Sequence, residues 1–158
     1  MGRRSSARLG QVSSLWKPSP GPVGTLLGLP AQLTLTVLPV QLTVLRFAPD
    51  AALPTWLPRV GFTCVTRTDD ELSIVCESSA VPVGTRAEAE AGWAALKLEG
   101  PFEFTLTGIL ASVLVPLADG AVGIFAISTF DTDYVLVKQA QLDQAVSTLQ
   151  AAGHEIRT

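Results

Sequence analysis

Leu96–Lys138 reads LKLEGPFEFTLTGILASVLVPLADGAVGIFAISTFDTDYVLVK, and its punctuation decides the fold. Leu96 to Leu98 alternates apolar with polar and stops at Gly100-Pro101, a dipeptide that breaks a strand and turns the chain. Leu106, Ile109, Leu110, Val113, Leu114 and Leu117 then share one face at helical spacing, which predicts an amphipathic helix started by Thr105 or Thr107. Pro116 has no amide proton to return to the carbonyl of Ser112, so the last turn should be loose, with Gly120 as the left-handed residue that ends it. Val122–Ile127 reads as a buried strand, Ser128–Asp133 as a polar loop and Tyr134–Val137 as the returning strand. Strand, helix and hairpin make half of a ferredoxin-like split βαβ unit.

The pattern continues on both sides. Downstream, Leu142, Ala145, Val146, Leu149 and Ala152 give a second helical stripe stopped by Gly153, with His154–Arg157 as a final edge strand. Upstream, Leu33–Leu38 alternates apolar residues with threonine; Pro39 breaks it, and Gln41–Phe47 begins a second strand. Asp50 can cap a short helix through Leu57, which Pro54 and Pro58 limit to a turn or two. Phe62–Thr68 and Leu72–Glu77 form a hairpin. Its alternation puts Phe62, Cys64 and Thr66 opposite Leu72, Ile74 and Cys76, which implies a loop of odd length around Asp69–Glu71 and neighbouring thiols. Ser79–Gly92, with its AEAEAG run, reads as a crossing connection or short helix, and Trp93 anchors its end in a hydrophobic seam.

Composition limits what such a chain can be. Of 158 residues, 47% are hydrophobic, enough for a normal core. The apolar runs are interrupted well short of the roughly 18 residues of a spanning helix, so no membrane segment is expected. Met1-Gly2-Arg3-Arg4 has the charge of an export signal, but Ser13–Gly24 supplies no continuous apolar region, and a cytoplasmic location is expected. Two cysteines and one histidine make neither a disulfide framework nor a zinc site. Arg3, Arg4, Arg8 and Lys17 stand among the first 32 residues without an acid, while the remainder is net acidic. An acidic body repels phosphate backbones, so nucleic acid is not expected as a partner. Met1–Pro30, rich in Arg, Ser, Gly and Pro without periodicity, reads as a disordered arm.

The runs EGPFEFTLTGILASVLVPLA and GIFAISTFDTDYVLV resemble an ACT domain, the amino-acid-sensing module. Within that family they are similar to tandem ACT-like proteins akin to the regulatory part of aspartate kinase and to the animal cytosolic arginine sensor. The resemblance is strong over Trp93–Gly153, moderate over Leu33–Pro82 and absent before Ala31. It implies an α+β fold of two ACT-like units, ferredoxin-like βαββαβ, with antiparallel sheets and helices packed on one face. Residues 1–31 would then be the arm, 32–82 a first, reduced unit, 83–92 a connection and 93–158 the second unit.

Signals for catalysis are weak. His154 stands at the C-terminal edge with no acid, serine or cysteine signature placed to make it a general base, and reads as a surface histidine. Gly108, Gly120 and Gly123 compose no nucleotide-binding motif. From spacing alone Asp131 and Asp133 are either metal ligands or turn residues, and turn chemistry is the commoner of the two. The resemblance implies more, because the matching loop of the arginine-sensor relatives contacts a bound amino acid. Ser128, Thr129, Phe130 and Asp133 would then line a site, with Asp133 pairing with a ligand's ammonium or guanidinium and Phe130 covering its apolar stem. Thr107-Gly108 would form the other side, where free amides at a helix start suit a carboxylate; Gly108 can equally serve close packing of the helix on its sheet. The expected function is non-catalytic binding of a small amino acid or related metabolite between ACT units, without cofactor or metal. The expected partner is a second copy in a homodimer or a separate regulated protein. The alternatives are a docking or dimerisation module without ligand, and an enzyme on the same fold.

Overall fold

The computed structural model describes residues 32–158, so the expectations for the arm at 1–31 lie outside the described residues. The elements run β1 (Thr34–Phe47), β2 (Thr63–Arg67), β3 (Leu72–Glu77), β4 (Glu88–Leu98), α1 (Ile109–Asp119), β5 (Ile124–Ser128), β6 (Asp133–Lys138), α2 (Leu142–Ala151) and β7 (Glu155–Arg157). Single 3-10 turns, Ser78–Ala80 and Gln139–Gln141, follow β3 and β6. The strands form one sheet in the order β2-β3-β1-β4-β6-β5, with β7 alongside β1. Every pairing is antiparallel except β1 with β7.

Pro39 does not divide β1. The register against β4 jumps between Val37, opposite Leu96, and Gln41, opposite Ala94, so the proline sits in a bulge where its missing N–H is not needed by the ladder. At this bulge β1 changes neighbours. Its first residues pair with β7, Thr34 opposite Glu155, and its later ones with β3, from Leu42 opposite Glu77 to Phe47 opposite Leu72.

Both helices pack on one face of the sheet. Leu35, Leu96, Leu98, Val135 and Val137 meet Val113 and Leu117 of α1 and Ala145 and Leu149 of α2, all buried. Each fully buried aliphatic side chain stabilises the fold by about 1.5–3 kcal/mol. On the other face the sheet curls until its two edges confront each other. Cys64, Thr66 and Val75 line a groove of about 200 Å³ with Phe125 and Ile127, and Phe62 meets Tyr134 edge to face at 5.1 Å. A third cluster, Leu45, Leu72, Ile74 and Cys76, is covered by Ala51, Trp56, Leu57, Val81 and Ala87 from the connecting segments.

Residues 32–82 contain no α-helix, only the 3-10 turn Ser78–Ala80. Residues 48–62 make turns, Ala51 N–H donating to Ala48 C=O and Leu57 N–H to Pro54 C=O, and Asp50 caps no helix. Glu88–Gly92, read as connection, is already β4. Trp93 lies within that strand, its ring 6.2 Å from that of Phe125 and beneath the Lys138 ammonium at 4.1 Å.

Four further expectations are corrected. Cys64 stands opposite Val75 and Cys76 opposite Thr63, so the thiols occupy opposite faces of the hairpin. The turn between them has four residues, Thr68–Glu71, because the Thr68 hydroxyl accepts from the amides of Asp70 and Glu71 and closes an even loop. Gly108, at φ 80°, is the N-cap of α1, and no side chain caps it, neither Thr105 nor Thr107. Gly120 has φ −79°, and the left-handed residue is Ala121 at φ 54°.

The fourth concerns His154, which is buried rather than on the surface. Its Nδ1 accepts from Leu33 N–H at 3.2 Å, which leaves Nε2–H to donate to the Ser112 carbonyl at 3.1 Å. That carbonyl is the one Pro116 orphans, so the imidazole supplies the hydrogen bond that the helix cannot make for itself.

Candidate functional site

The β5–β6 turn and the segment entering α1 form two walls of a cleft. Gly100, Phe102 and Thr132 hold those walls together. Phe102 N–H donates to Asp131 C=O at 2.9 Å, and the buried Thr132 hydroxyl donates to Leu98 C=O at 2.5 Å. A Cβ on Gly100 would come 2.6 Å from the Asp131 carbonyl, so only glycine allows this approach. The turn itself is closed by Thr129, whose N–H and hydroxyl both donate to Thr132 C=O at 2.8 Å.

Between the walls lies a cleft of about 210 Å³. Phe102–Phe104, Leu106 and Ile109 form one side, and Ser128–Asp133 the other. Ser128, Thr129, Phe130 and Asp133 thus stand together. Thr107 and Gly108 do not line the cleft; they lie between Leu106 and Ile109, which do. Asp133 opens β6 directly opposite Ser128, the last residue of β5, and accepts a hydrogen bond from the Ser128 hydroxyl on one oxygen.

The charge of the lining has one sign. Glu103, Asp131 and Asp133 contribute carboxylates, and no lysine or arginine is among the lining residues. Positive potential comes instead from the start of α1, whose first amides have no intrahelical acceptor and no capping side chain. At the mouth Phe104 and Phe130 meet edge to face at 5.1 Å, 77% and 78% exposed. Such an arrangement can take a carboxylate at the helix start, a cation among the carboxylates and an apolar stem along the rings.

Sequence reasoning missed Phe102, Glu103, Phe104 and Leu106. The signal was the alternation of aromatic and acid in PFEF after a Gly-Pro turn, a pattern too exposed for a core strand. The locking role of Thr132 left no mark in the sequence, since it depends on Leu98, a residue far away in the chain. Among the described residues no group of three or more His, Cys, Asp or Glu side chains is placed to hold a metal ion. Nor is any described helix long and apolar enough to cross a membrane.

Comparison with known proteins bears on both halves of the chain. A family model described as an ACT domain matches residues 88–151, and a second, described as an N-terminal domain, matches residues 41–84. The chain is 28% identical over 100 residues to subunit 1 of the cytosolic arginine sensor for mTORC1 of Bos taurus, spanning 58% of this chain and 30% of that protein. It is 30% identical over 104 residues to the human protein CASTOR3P, spanning 59% of this chain and 64% of that one. The matched region is thus less than two thirds of either curated relative. A solved protein of Agrobacterium tumefaciens is 39% identical with a TM-score of 0.73, covering 79% of this chain and 92% of that one. The regulatory subunit of aspartate kinase from Thermus flavus shares the fold, with 11% identity, a TM-score of 0.53 and coverage of 75% and 96%.

Proposed function

Because this chain belongs to the ACT-domain family, we propose that it is a non-catalytic regulatory module which binds a small amino acid or related metabolite in the cleft between the start of α1 and the 128–133 turn. The observation that carries this reading is the pairing, in one cleft, of uncapped helix amides with three carboxylates and no cation. An α-amino acid presents the complementary charges. Its carboxylate suits the amide of Ile109, the first helical residue and part of the cleft lining, and its ammonium, or a basic side chain, suits Asp133 and Asp131.

Titration with a panel of the common amino acids, followed by thermal unfolding, tests this. A ligand present at 100 times its dissociation constant adds about 2.7 kcal/mol of stability. Asp133→Asn keeps the acceptor for Ser128 and removes the charge, so affinity should fall about ten- to a hundredfold with the melting temperature of the free protein nearly unchanged. A panel without any stabilising ligand refutes the proposal. So does an Asp133→Asn protein that binds as well as the parent.

The exposure of Phe104 and Phe130 favours a second reading, in which a second copy or a regulated protein covers the mouth of the cleft. The two readings are compatible where the covering chain closes over a bound ligand, and they part where docking occurs without one. A cytoplasmic location fits either.

A further inference from the structure

The β2–β3 and β5–β6 hairpins are one design used twice. Thr63–Arg67 falls on Ile124–Ser128, Leu72–Glu77 on Asp133–Lys138, and the turn Ser78–Ala80 on Gln139–Gln141, without a gap. The hairpin turns close alike. Thr68 N–H donates to Glu71 C=O at 2.9 Å as Thr129 N–H does to Thr132 C=O at 2.8 Å. The Thr68 hydroxyl accepts from Glu71 N–H at 3.2 Å as the Thr129 hydroxyl does from Thr132 N–H at 3.3 Å. The repeat sets Asp70 where Asp131 stands, and Asp131 lines the candidate cleft.

Beside Asp70 is a cleft of about 480 Å³, lined also by Arg46, Phe47, Ala51, Arg86 and Glu88. One wall is held from behind. The Arg67 guanidinium donates to the carbonyls of Pro49 and Ala51, fixing that segment against β2. Arg46 is already neutralised, by Glu71 at 3.0 Å and Glu88 at 3.5 Å. Two charges are left over. Arg86 and Asp70 line the same cleft, yet among the described residues neither makes an ion pair, with the other or with any third group. Opposite charges that share a cleft without touching leave a gap that a molecule with both charges can bridge, while Phe47 and Ala51 supply an apolar floor. No helix starts here to offer amides to an anion, and Arg86 provides that charge instead.

We propose that this cleft is a second binding site, specific for a small zwitterion of the α-amino acid class, its carboxylate on Arg86 and its ammonium on Asp70. The site stands apart from the reading of the first cleft. The Asp133→Asn protein, whose first cleft has lost one of its three carboxylate charges, is titrated with each common amino acid while backbone amide NMR shifts are followed. One or more amino acids should give saturable shifts in residues 46–51, 68–71 and 86–88, with an affinity separate from any residual response at 102–109 and 128–133. Arg86→Gln or Asp70→Asn, both exposed positions, should weaken that binding about tenfold or more. The N-acetylated form of the same amino acid, which lacks the ammonium, should give no saturable shift there. Absence of saturable shifts in those segments, or an affinity unchanged by Arg86→Gln, overturns the second site. Loss of every response in Asp133→Asn, with Arg86→Gln binding like the parent, overturns it while the first cleft stands. Asp133→Asn binding like the parent, with the response abolished in Arg86→Gln, supports the second site and removes the first.

Discussion

Replacing His154 with Phe should expose how α1 tolerates a proline. The ring keeps a similar size in its buried place, but both hydrogen bonds go, leaving Leu33 N–H and Ser112 C=O without partners. A buried polar group stripped of its partner costs about 1–3 kcal/mol, so the pair should cost about 2–4 kcal/mol, allowing for some relaxation at the edge of the sheet. The origin of half that loss can be isolated. Pro116→Ala restores an N–H four residues after Ser112, so in the His154→Phe background it returns a donor to the stranded carbonyl, whereas in the parent the imidazole already fills that role. Urea unfolding of the parent, both single variants and the double variant completes the cycle. Pro116→Ala should be more favourable in the His154→Phe background than in the parent by about 1 kcal/mol or more. Strict additivity, a coupling within about 0.3–0.5 kcal/mol of zero, would show that the histidine does not stand in for the missing amide, and the reasoning would fail.

Gly108→Ala should lower both stability and affinity, since φ 80° is strained for any side chain and the strain sits at the proposed carboxylate site; an alanine protein with unchanged binding would separate the helix start from the ligand. Thr132→Val removes the tie between turn and strand, but Leu98 C=O keeps a second donor in Gly100 N–H at 3.1 Å. Unfolding should therefore show a loss of only about 0.5–1.5 kcal/mol, while amino-acid affinity falls and Thr132→Ser restores it; equal affinity in Val and Ser variants would refute the tie. Cys64 should react with a maleimide in the folded protein and Cys76 only after unfolding, because burial first and then Glu77 push the Cys76 thiol above its ordinary range and keep it protonated. Equal labelling rates under native conditions would contradict its placement. Oxidation should yield no intramolecular disulfide, as the two thiols lie on opposite faces.

Periodicity carried the second unit because each of its signals is local. The face Ile109, Val113, Leu117 is set by helical spacing and is buried as that spacing requires, and the same holds for Ala145 and Leu149. Leu106 satisfied the same pattern and is half exposed, since the helix begins only after Gly108. Non-local facts were illegible. The Cys64–Cys76 register turned on whether a turn of four or of an odd number of residues closed the hairpin, and the Thr68 hydroxyl decided it. Pro39 read as a break because a lone strand cannot show that its neighbours change at that residue. His154 looked spare because its acceptor lies on another element. Within the candidate cleft, Ser128–Asp133 could be located through family resemblance, whereas the opposite wall at Phe102–Leu106 took its place only through Gly100 and the Asp131 carbonyl.

The passage of β1 through both units has a consequence for how the protein can come apart. Its first residues are gripped between β7 and β4, its last between β3 and β4, and β4 runs beside it for nearly its whole length. Cutting the chain in the 78–87 segment would leave β1 with the first piece and β4 with the second, each missing the strand that completes it. Neither piece has an edge that water alone could satisfy without exposing Leu35, Leu42, Leu96 or Leu98. The halves should therefore melt in a single transition, and amide exchange in β1 and β4 should be slowest of all, released only by global opening.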